Sequence, residues 1–253
     1  MTPAAPDPRG AHADALRAAA ETMRATREHC VWTQQITHEE LLPYLVEESA
    51  ELIDAVETGT RADLREEIGD LLWQVLFHAA IAAQDPDDPF DIDDVAAGLT
   101  EKMVRRHPHV FGDAVATTPE QVLVHWNAAK AAEKRERRSV LDGVSPHMPS
   151  LALAQKLLGR AAGLGVGVRS DPVPAKPADV IWELRGDTGA AGGADSEATD
   201  AGPAGAGAAT EADLGAALLA LVAVARARGW DAERALRGAI RNLEDDIRTA
   251  ERD

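Results

Sequence analysis

The chain has 253 residues, and its 43 acidic and 26 basic side chains give it a net charge of −17. Such an acidic chain is not typical of proteins that coat nucleic acids or bind anionic membranes, because both partners repel negative charge. Cys30 is the only cysteine, which excludes an intramolecular disulfide, and the lack of a long apolar run or signal-peptide pattern predicts a cytoplasmic protein.

Helical signals follow one another along the chain, and no segment shows the alternation of a strand, so we predict an all-α protein. Thr37 and Thr60 are expected to cap helices, and Pro108 is expected to end one. Cys30 and Trp32 are assigned to a loop. The predicted helices cover residues 13–27, 37–57, 61–84, 92–107, 119 to the charged run EKRERR, 151–163, 212–228 and 231–251.

Composition divides the chain into segments. The stretch GDTGAAGGADSEATDAGPAGAGAAT has too few large apolar residues to form a core and is typical of a flexible linker. We therefore predict a flexible tail over 1–12, a catalytic domain over 13–145, connecting helices over 146–185, a linker over 186–210 and a helical pair over 211–253.

Four carboxylates are spaced to meet between two consecutive helices. Glu48 and Glu51 are three residues apart on the first, as are Glu67 and Asp70 on the second. A short loop favours antiparallel packing, which would bring both pairs into one cleft. Crowded carboxylates need protons or cations, and an all-oxygen ligand set suits Mg²⁺, with Mn²⁺ as a possible substitute.

Two other interpretations of these carboxylates remain open. A single pair of carboxylates spaced by three residues usually lies on an exposed helix face and has no function. Two such pairs on consecutive helices, each beside an apolar run, favour a functional site. A di-iron carboxylate bundle would use a histidine three residues after a glutamate, whereas Glu51 and Asp70 occupy those positions. His78 is interpreted as a core histidine.

Basic and aromatic residues downstream fit a bound nucleotide. Lys102 and Arg106 share a face of the helix over 92–107, with Arg105 beside them, and Trp126 and Lys130 are likewise four residues apart on the next helix. Cations of this kind bind phosphates, and an aromatic ring can lie near a base.

The pattern resembles the MazG family of all-α nucleoside triphosphate pyrophosphohydrolases. It is carried by EExxE at Glu47, Glu48 and Glu51, by ExxD at Glu67 to Asp70, and by RRHPHVFGD from residue 105. The resemblance implies a MazG-like helical bundle and a homodimer that hydrolyses nucleoside triphosphates. It assigns Mg²⁺ to Glu48, Glu51, Glu67 and Asp70, and nucleotide contacts to Lys102, Arg106, Trp126 and Lys130.

The resemblance leaves two points unresolved. It places Glu47 in the catalytic set, as a metal ligand, as a base for the attacking water, or as a residue that supports a metal ligand. The family commonly has CPWD before the first motif helix, whereas this chain has CVWT at residues 30–33, so base preference is not implied.

A degenerate second copy of the helical motif follows the linker. DLGAALLALVAVARARG from residue 213 aligns with EIGDLLWQVLFHAAIAA from residue 67, and the segment from 230 aligns with that from 90. Ala216 then replaces Asp70, Asn242 replaces Lys102 and Asp246 replaces Arg106. We expect this copy to perform no hydrolysis.

Three functional hypotheses follow. The first is Mg²⁺-dependent hydrolysis of nucleoside triphosphates to monophosphate and pyrophosphate, with a housecleaning role for the nucleotide pool. The second is a narrower pyrophosphohydrolase of the dUTP/dCTP or phosphoribosyl-ATP type. The third is a helical regulatory or scaffold protein that binds divalent metal without turnover. None of them involves nucleic acid or a membrane.

Overall fold

The computed structural model describes residues 15–133, 139–167 and 210–252, and every regular element within these ranges is a helix. The all-α class is therefore confirmed. The chain divides between residues 135 and 136 into two units, the first with α1–α7 and the second with α8–α10. The helices are α1 (Ala15–His29), α2 (Val31–Gln35), α3 (His38–Glu57), α4 (Arg61–Ala82), α5 (Ile92–Arg106), α6 (Pro108–Phe111), α7 (Pro119–Ala132), α8 (Ser150–Gly163), α9 (Glu211–Ala227) and α10 (Ala232–Ala250).

Capping boxes define where the two motif helices begin. The backbone N–H of Glu40 donates to the Thr37 hydroxyl, and the Glu40 carboxylate accepts from the Thr37 N–H. Thr60 and Asp63 make the same reciprocal pair at the start of α4. Each box satisfies backbone donors that the helix itself leaves unpaired, so both predicted starts are confirmed.

One local prediction is wrong, and another is confirmed with an addition. The segment after Cys30 is the short helix α2 rather than a loop, and five residues are too few to show a helical period. α5 ends at Arg106, just before Pro108, as predicted. Pro108 then occupies the first turn of the short helix α6, where its missing N–H leaves no donor unpaired.

The core of the first unit lies where α1, α2, α3 and α4 meet. Phe77 is fully buried, and the rings of Trp32 and Trp73 pack edge-on against it at centroid distances of 6.1 and 5.8 Å. The apolar run after Asp70 predicts core positions at Leu71, Leu72, Val75 and Leu76. Leu76 is buried and Leu71 and Leu72 are half-buried, but Val75 is 43% exposed. Its side chain is turned by about 100° around α4 from that of Leu76.

A tight turn joins α3 to α4. A Cβ atom on Gly59 would lie 2.7 Å from the Ala55 Cα and 2.9 Å from its carbonyl oxygen, closer than carbon atoms tolerate. Only glycine therefore fits this close approach. The turn fixes how the two motif helices are aligned along their length.

In the second unit, α8 packs against both α9 and α10. The Gln155 side chain on α8 donates to the Trp230 carbonyl at 3.1 Å and accepts from the Ala232 N–H at 3.2 Å, which ties α8 to the α9–α10 turn. The predicted tail over 1–12 and nearly all of the predicted linker over 186–210 lie outside the described residues. Of the helices in the described ranges, none has the length and apolar character needed to cross a bilayer.

Candidate metal and nucleotide site

The packing of α3 against α4 brings together carboxylates from both helices. Glu48, Glu67 and Asp70 each offer an oxygen, and these three oxygens lie within 4.8 Å of one another. Glu48 and Glu67 are half-buried, while Asp70 is exposed. One oxygen of Glu67, Oε2, is buried and accepts no hydrogen bond from the residues that the structure describes. Three hard oxygen ligands this close together fit a divalent cation.

Burial and mutual repulsion both act on this acidic cluster. The pKa of Glu48 is raised, first by desolvation and then by the negative charges of Asp70, Glu51 and Glu47. The pKa of Glu67 is raised by desolvation and then chiefly by Glu51 and Asp70. A bound cation would reverse the repulsion that raises these pKa values.

The other two predicted carboxylates lie at the edge of the cluster. Glu51 is exposed and falls outside the group of three oxygens, although its charge acts on both Glu48 and Glu67. Glu47 is also exposed, and its charge raises the pKa of Glu48.

Gln74 contacts the cluster and was missed by sequence reasoning. Its side chain is on α4, one helical turn after Asp70, and the residue is only 3% exposed. A hydrogen bond from the Gln74 side chain lowers the pKa of Glu48, against the larger raising effects. The Gln74 Oε1 atom is buried and has no partner within the described ranges. Gln74 thus donates a hydrogen bond to a candidate metal ligand, while its own amide oxygen accepts none from the described residues.

The predicted basic and aromatic residues lie on α5 and α7, which pack together. The Arg106 guanidinium lies over the Trp126 ring, 5.0 Å from its centroid. Lys102 is half-buried on α5, one helical turn before Arg106. Lys130 is half-buried on α7, one helical turn after Trp126. The structure therefore brings Arg106 and Trp126 into contact.

Glu133 is a second residue that sequence reasoning did not identify. Its Oε2 atom is 2.5 Å from Nη2 of Arg106, and its Oε1 atom is 2.9 Å from Nε of Arg105. Both arginines hold the pKa of Glu133 at about 2, with the Arg106 hydrogen bond as the largest cause. The carboxylate thus fixes the Arg106 guanidinium on the Trp126 ring.

The first histidine of the RRHPHVF motif, His107, packs against the same indole, and the second, His109, packs against the first. His107 packs edge-on against Trp126 at 5.2 Å between centroids, and its Nδ1 atom is 2.6 Å from the Met103 carbonyl oxygen. His109 stacks against His125 at 6.0 Å. The motif marks His107 and His109 in the sequence, and the packing of α5, α6 and α7 brings them next to Trp126 and His125.

A family model described as the MazG nucleotide pyrophosphohydrolase domain matches residues 36–111. A nucleoside triphosphate pyrophosphohydrolase of Escherichia coli strain K12 is 33% identical over 246 residues, which cover 94% of this chain and 87% of that protein. The chain belongs to the MazG family. The sequence resemblance is thereby confirmed. The MazG match includes every predicted carboxylate with Lys102 and Arg106, while Trp126 and Lys130 lie beyond it.

Two other relatives have a higher sequence identity but align over shorter stretches. An uncharacterized 26.1 kDa protein of Streptomyces cacaoi is 54% identical over 151 residues, 60% of this chain and 62% of that one. A nucleoside triphosphate pyrophosphohydrolase of Mycobacterium tuberculosis strain H37Rv is 49% identical over 136 residues, 53% of this chain and 41% of that one. The chain therefore spans less than two thirds of these two relatives.

Proposed function

We propose that this protein hydrolyses nucleoside triphosphates to the monophosphate and pyrophosphate in a Mg²⁺-dependent reaction. The observation that carries the proposal is the oxygen cluster of Glu48, Glu67 and Asp70 in a chain of the MazG family. A role in clearing unwanted nucleotides from the cytoplasm follows as part of the same proposal.

The acidic residues take distinct roles in this proposal. Glu48, Glu67 and Asp70 hold the cation, and Glu51 completes the set from the edge of the cluster. Glu47, exposed beside Glu48, orients the attacking water or supports a ligand. Mg²⁺, when bound, supplies a Lewis acid that neutralises phosphate oxygens and acidifies water.

The basic residues act on the phosphate chain and the base. Water attacks the α-phosphorus, the bond from that phosphorus to its bridging oxygen breaks, and pyrophosphate leaves. Lys102, Arg106 and Lys130 offset the negative charge on the leaving pyrophosphate. Trp126, already stacked with Arg106, offers an apolar face to the nucleotide.

A homodimer is part of the proposal because helices of the first unit expose large apolar side chains. On α3, Val46 and Val56 are 70% and 66% exposed, and on α5, Leu99 is 50% exposed. Large apolar side chains exposed in this way are candidates for burial between subunits. We assign these side chains to the contact between subunits.

We assign no hydrolysis to the second unit, because Ala216 stands where the first copy has Asp70.

The test uses purified full-length chain with MgCl₂ and a panel of ribo- and deoxyribonucleoside triphosphates, with products separated by anion exchange. Monophosphate with pyrophosphate is expected, and its rate across the panel ranks the bases. Asp70→Asn should reduce turnover at least a hundredfold, while Asp54→Asn on α3, outside the cluster, should not. Diphosphate with phosphate would refute the bond assignment, and full activity in Asp70→Asn would refute the metal assignment.

The scaffold hypothesis makes a different prediction for thermal unfolding. A protein that only binds metal gains stability from MgCl₂ alone, whereas the enzyme gains more when a non-hydrolysable nucleotide is added. A narrower dUTP/dCTP-type enzyme would show turnover confined to the deoxyribonucleotides of uracil and cytosine in the panel. An equal gain with and without nucleotide, together with no turnover, would favour the scaffold.

A further inference from the structure

The helices α3 and α4 form a hairpin that is closed by the Gly59 turn at one end and by side-chain contacts at the other. His38 is the first residue of α3, and His78 lies four residues before the last residue of α4. Their Nδ1 atoms are 2.7 Å apart, with the two ring planes inclined by 5°. One nitrogen must donate and the other accept, so this bond requires at least one neutral ring. Burial and, to a smaller extent, the charge of His38 lower the pKa of His78, which keeps its ring neutral at pH 7.

A buried arginine from α1 joins the same ends of α3 and α4. The Arg27 Nη1 atom donates to the carbonyl oxygen of Ile36, two residues before α3 begins. Its Nε atom donates to the Oε1 atom of Gln84, two residues after α4 ends, and both distances are 3.0 Å. Arg27 is only 7% exposed, so these hydrogen bonds lie in a region where they are electrostatically stronger than in water. Arg27 thus holds the segment that enters α3 beside the segment that leaves α4.

The acidic cluster lies between the two closed ends of the hairpin. Glu48 is ten residues after His38 and eleven before Gly59. Asp70 is eleven residues after Gly59 and eight before His78. A pivot of α3 about the Gly59 turn would therefore move Glu48 about half as far as it moves His38. The histidine bond is lost when its nitrogen atoms separate by more than about 0.5 Å, so it limits the pivot at Glu48 to about half that distance. Metal ligands need to be held to within about 0.5 Å of their productive geometry.

Apolar packing at this end of the hairpin does not fix the alignment in the same way. Leu41 of α3 and Leu76 and Phe77 of α4 belong to one buried cluster. Contacts between apolar side chains have no preferred direction, so they resist separation of the helices more than sliding. A hydrogen bond weakens steeply when its hydrogen leaves the line between donor and acceptor. The polar contacts therefore supply the alignment along the helix axes.

We infer that His38, His78 and Arg27, here called the hairpin clamp, position Glu48 of α3 against the metal-binding carboxylates of α4. They are positioning residues, which act through the alignment of the two helices rather than by contact with the metal. The inference rests on the metal site of the proposed function, because it names the residues that hold this site in shape. The clamp itself concerns only the two helices, so it can be measured without metal.

Metal affinity tests the role of the hairpin clamp at the acidic cluster. Titration with Mn²⁺ at pH 8, followed by electron paramagnetic resonance, should show binding about fivefold weaker in His38→Ala and in His78→Leu. The double variant should bind little more weakly than either single variant, because each change breaks the same bond. His78→Asn, which keeps a hydrogen-bonding group near the place of Nδ1, should recover most of the affinity. Gln84→Leu, which removes one acceptor of Arg27, should weaken binding about twofold, and unchanged affinity would exclude Arg27 from the clamp.

Met23→Val is the matched control for a general loss of stability. Met23 on α1 is buried in the same core cluster, so valine lowers the stability of the fold but leaves the hairpin clamp in place. Its Mn²⁺ affinity should equal that of the wild type. Wild-type affinity in both His38→Ala and His78→Leu would overturn the role of the clamp at the metal site. An equal loss of affinity in Met23→Val would also overturn it, because any destabilised variant would then behave alike.

Distances between spin labels test the alignment itself, in EDTA. In the full chain with Cys30→Ser, labels are attached at exposed positions of α3 and α4 through Ala50→Cys and Arg65→Cys. Labelled chains are mixed with an excess of unlabelled chain, so that only distances within one chain are read. The distance distribution should broaden or shift when His78→Leu is added, and an unchanged distribution would overturn the clamp. Absence of Mn²⁺ binding in the wild type would refute the proposed metal site instead, and the distances would still decide on the clamp.

Discussion

Replacing Gln74 by leucine should separate the stability of the fold from its affinity for metal. Gln74 is 3% exposed, and its Oε1 atom is buried without a partner in the described residues, while its side chain donates to Glu48. An unpaired buried acceptor destabilises the folded state by about 1–3 kcal/mol. Leucine has a similar size and brings no acceptor, so it removes that penalty.

The same change removes the donor that supports Glu48. Residues that orient metal ligands typically contribute 10- to 100-fold to metal affinity. We therefore expect Gln74→Leu to bind divalent metal about tenfold more weakly. Its free energy of unfolding without metal should be unchanged or up to about 2 kcal/mol higher, after allowing for the lost hydrogen bond.

Two measurements on the same preparations check this prediction. Urea unfolding in EDTA gives the free energy of unfolding, and titration with Mn²⁺ followed by electron paramagnetic resonance gives the metal affinity directly. Gln74→Glu is the matched control, because it keeps the shape and adds a carboxylate beside Glu48. That variant should be less stable than wild type in EDTA and should recover most of the difference when metal is added.

A clear loss of stability in Gln74→Leu with unchanged Mn²⁺ affinity would refute the reasoning. In that case, Gln74 would contribute only to packing of the core, and the hydrogen bond to Glu48 would have no role in organising the acidic cluster.

Three further predictions follow from other contacts. Phe77→Ala should lower the free energy of unfolding by about 3–5 kcal/mol, measured in urea, because the ring is fully buried. Glu133 has a pKa of about 2, so its ion pairs stabilise the fold above about pH 4.5, and this stabilisation is lost as pH falls toward 2. Glu133→Gln should therefore flatten the stability–pH curve in that range. The same variant should raise the KM for nucleotide. Burial and a stacked histidine lower the pKa of His78, so stability should fall as pH drops below about 6.5, and His78→Phe should reduce this loss.

Sequence patterns predicted the features that depend on local spacing. The starts of α3 and α4 followed from Thr37 and Thr60, since a capping box involves residues only three positions apart. The meeting of the two carboxylate pairs followed from their spacing and the short turn. Which oxygens come closest could not be predicted, because it depends on side-chain rotamers, and Glu51 lies outside the closest group.

Contacts between distant segments were not predictable in the same way. Gln74 lies in the apolar run WQVLF, and nothing in its spacing separates it from an ordinary helix position. Glu133 begins a charged run that resembles an exposed surface, and its pairing with Arg106 spans 27 residues. Such partners become visible only once the packing of α5 against α7 is known.

The turn at Gly59 makes the metal site sensitive to a position that has no chemical role in it. Any side chain there would push the backbone of Ala55, one turn beyond Glu51, and would shift α3 along α4. A displacement of that kind moves one carboxylate pair past the other, although no charge is altered. Gly59 should therefore tolerate substitution as poorly as the acidic residues themselves, and random mutagenesis scored by activity would place an exposed loop glycine among the essential positions.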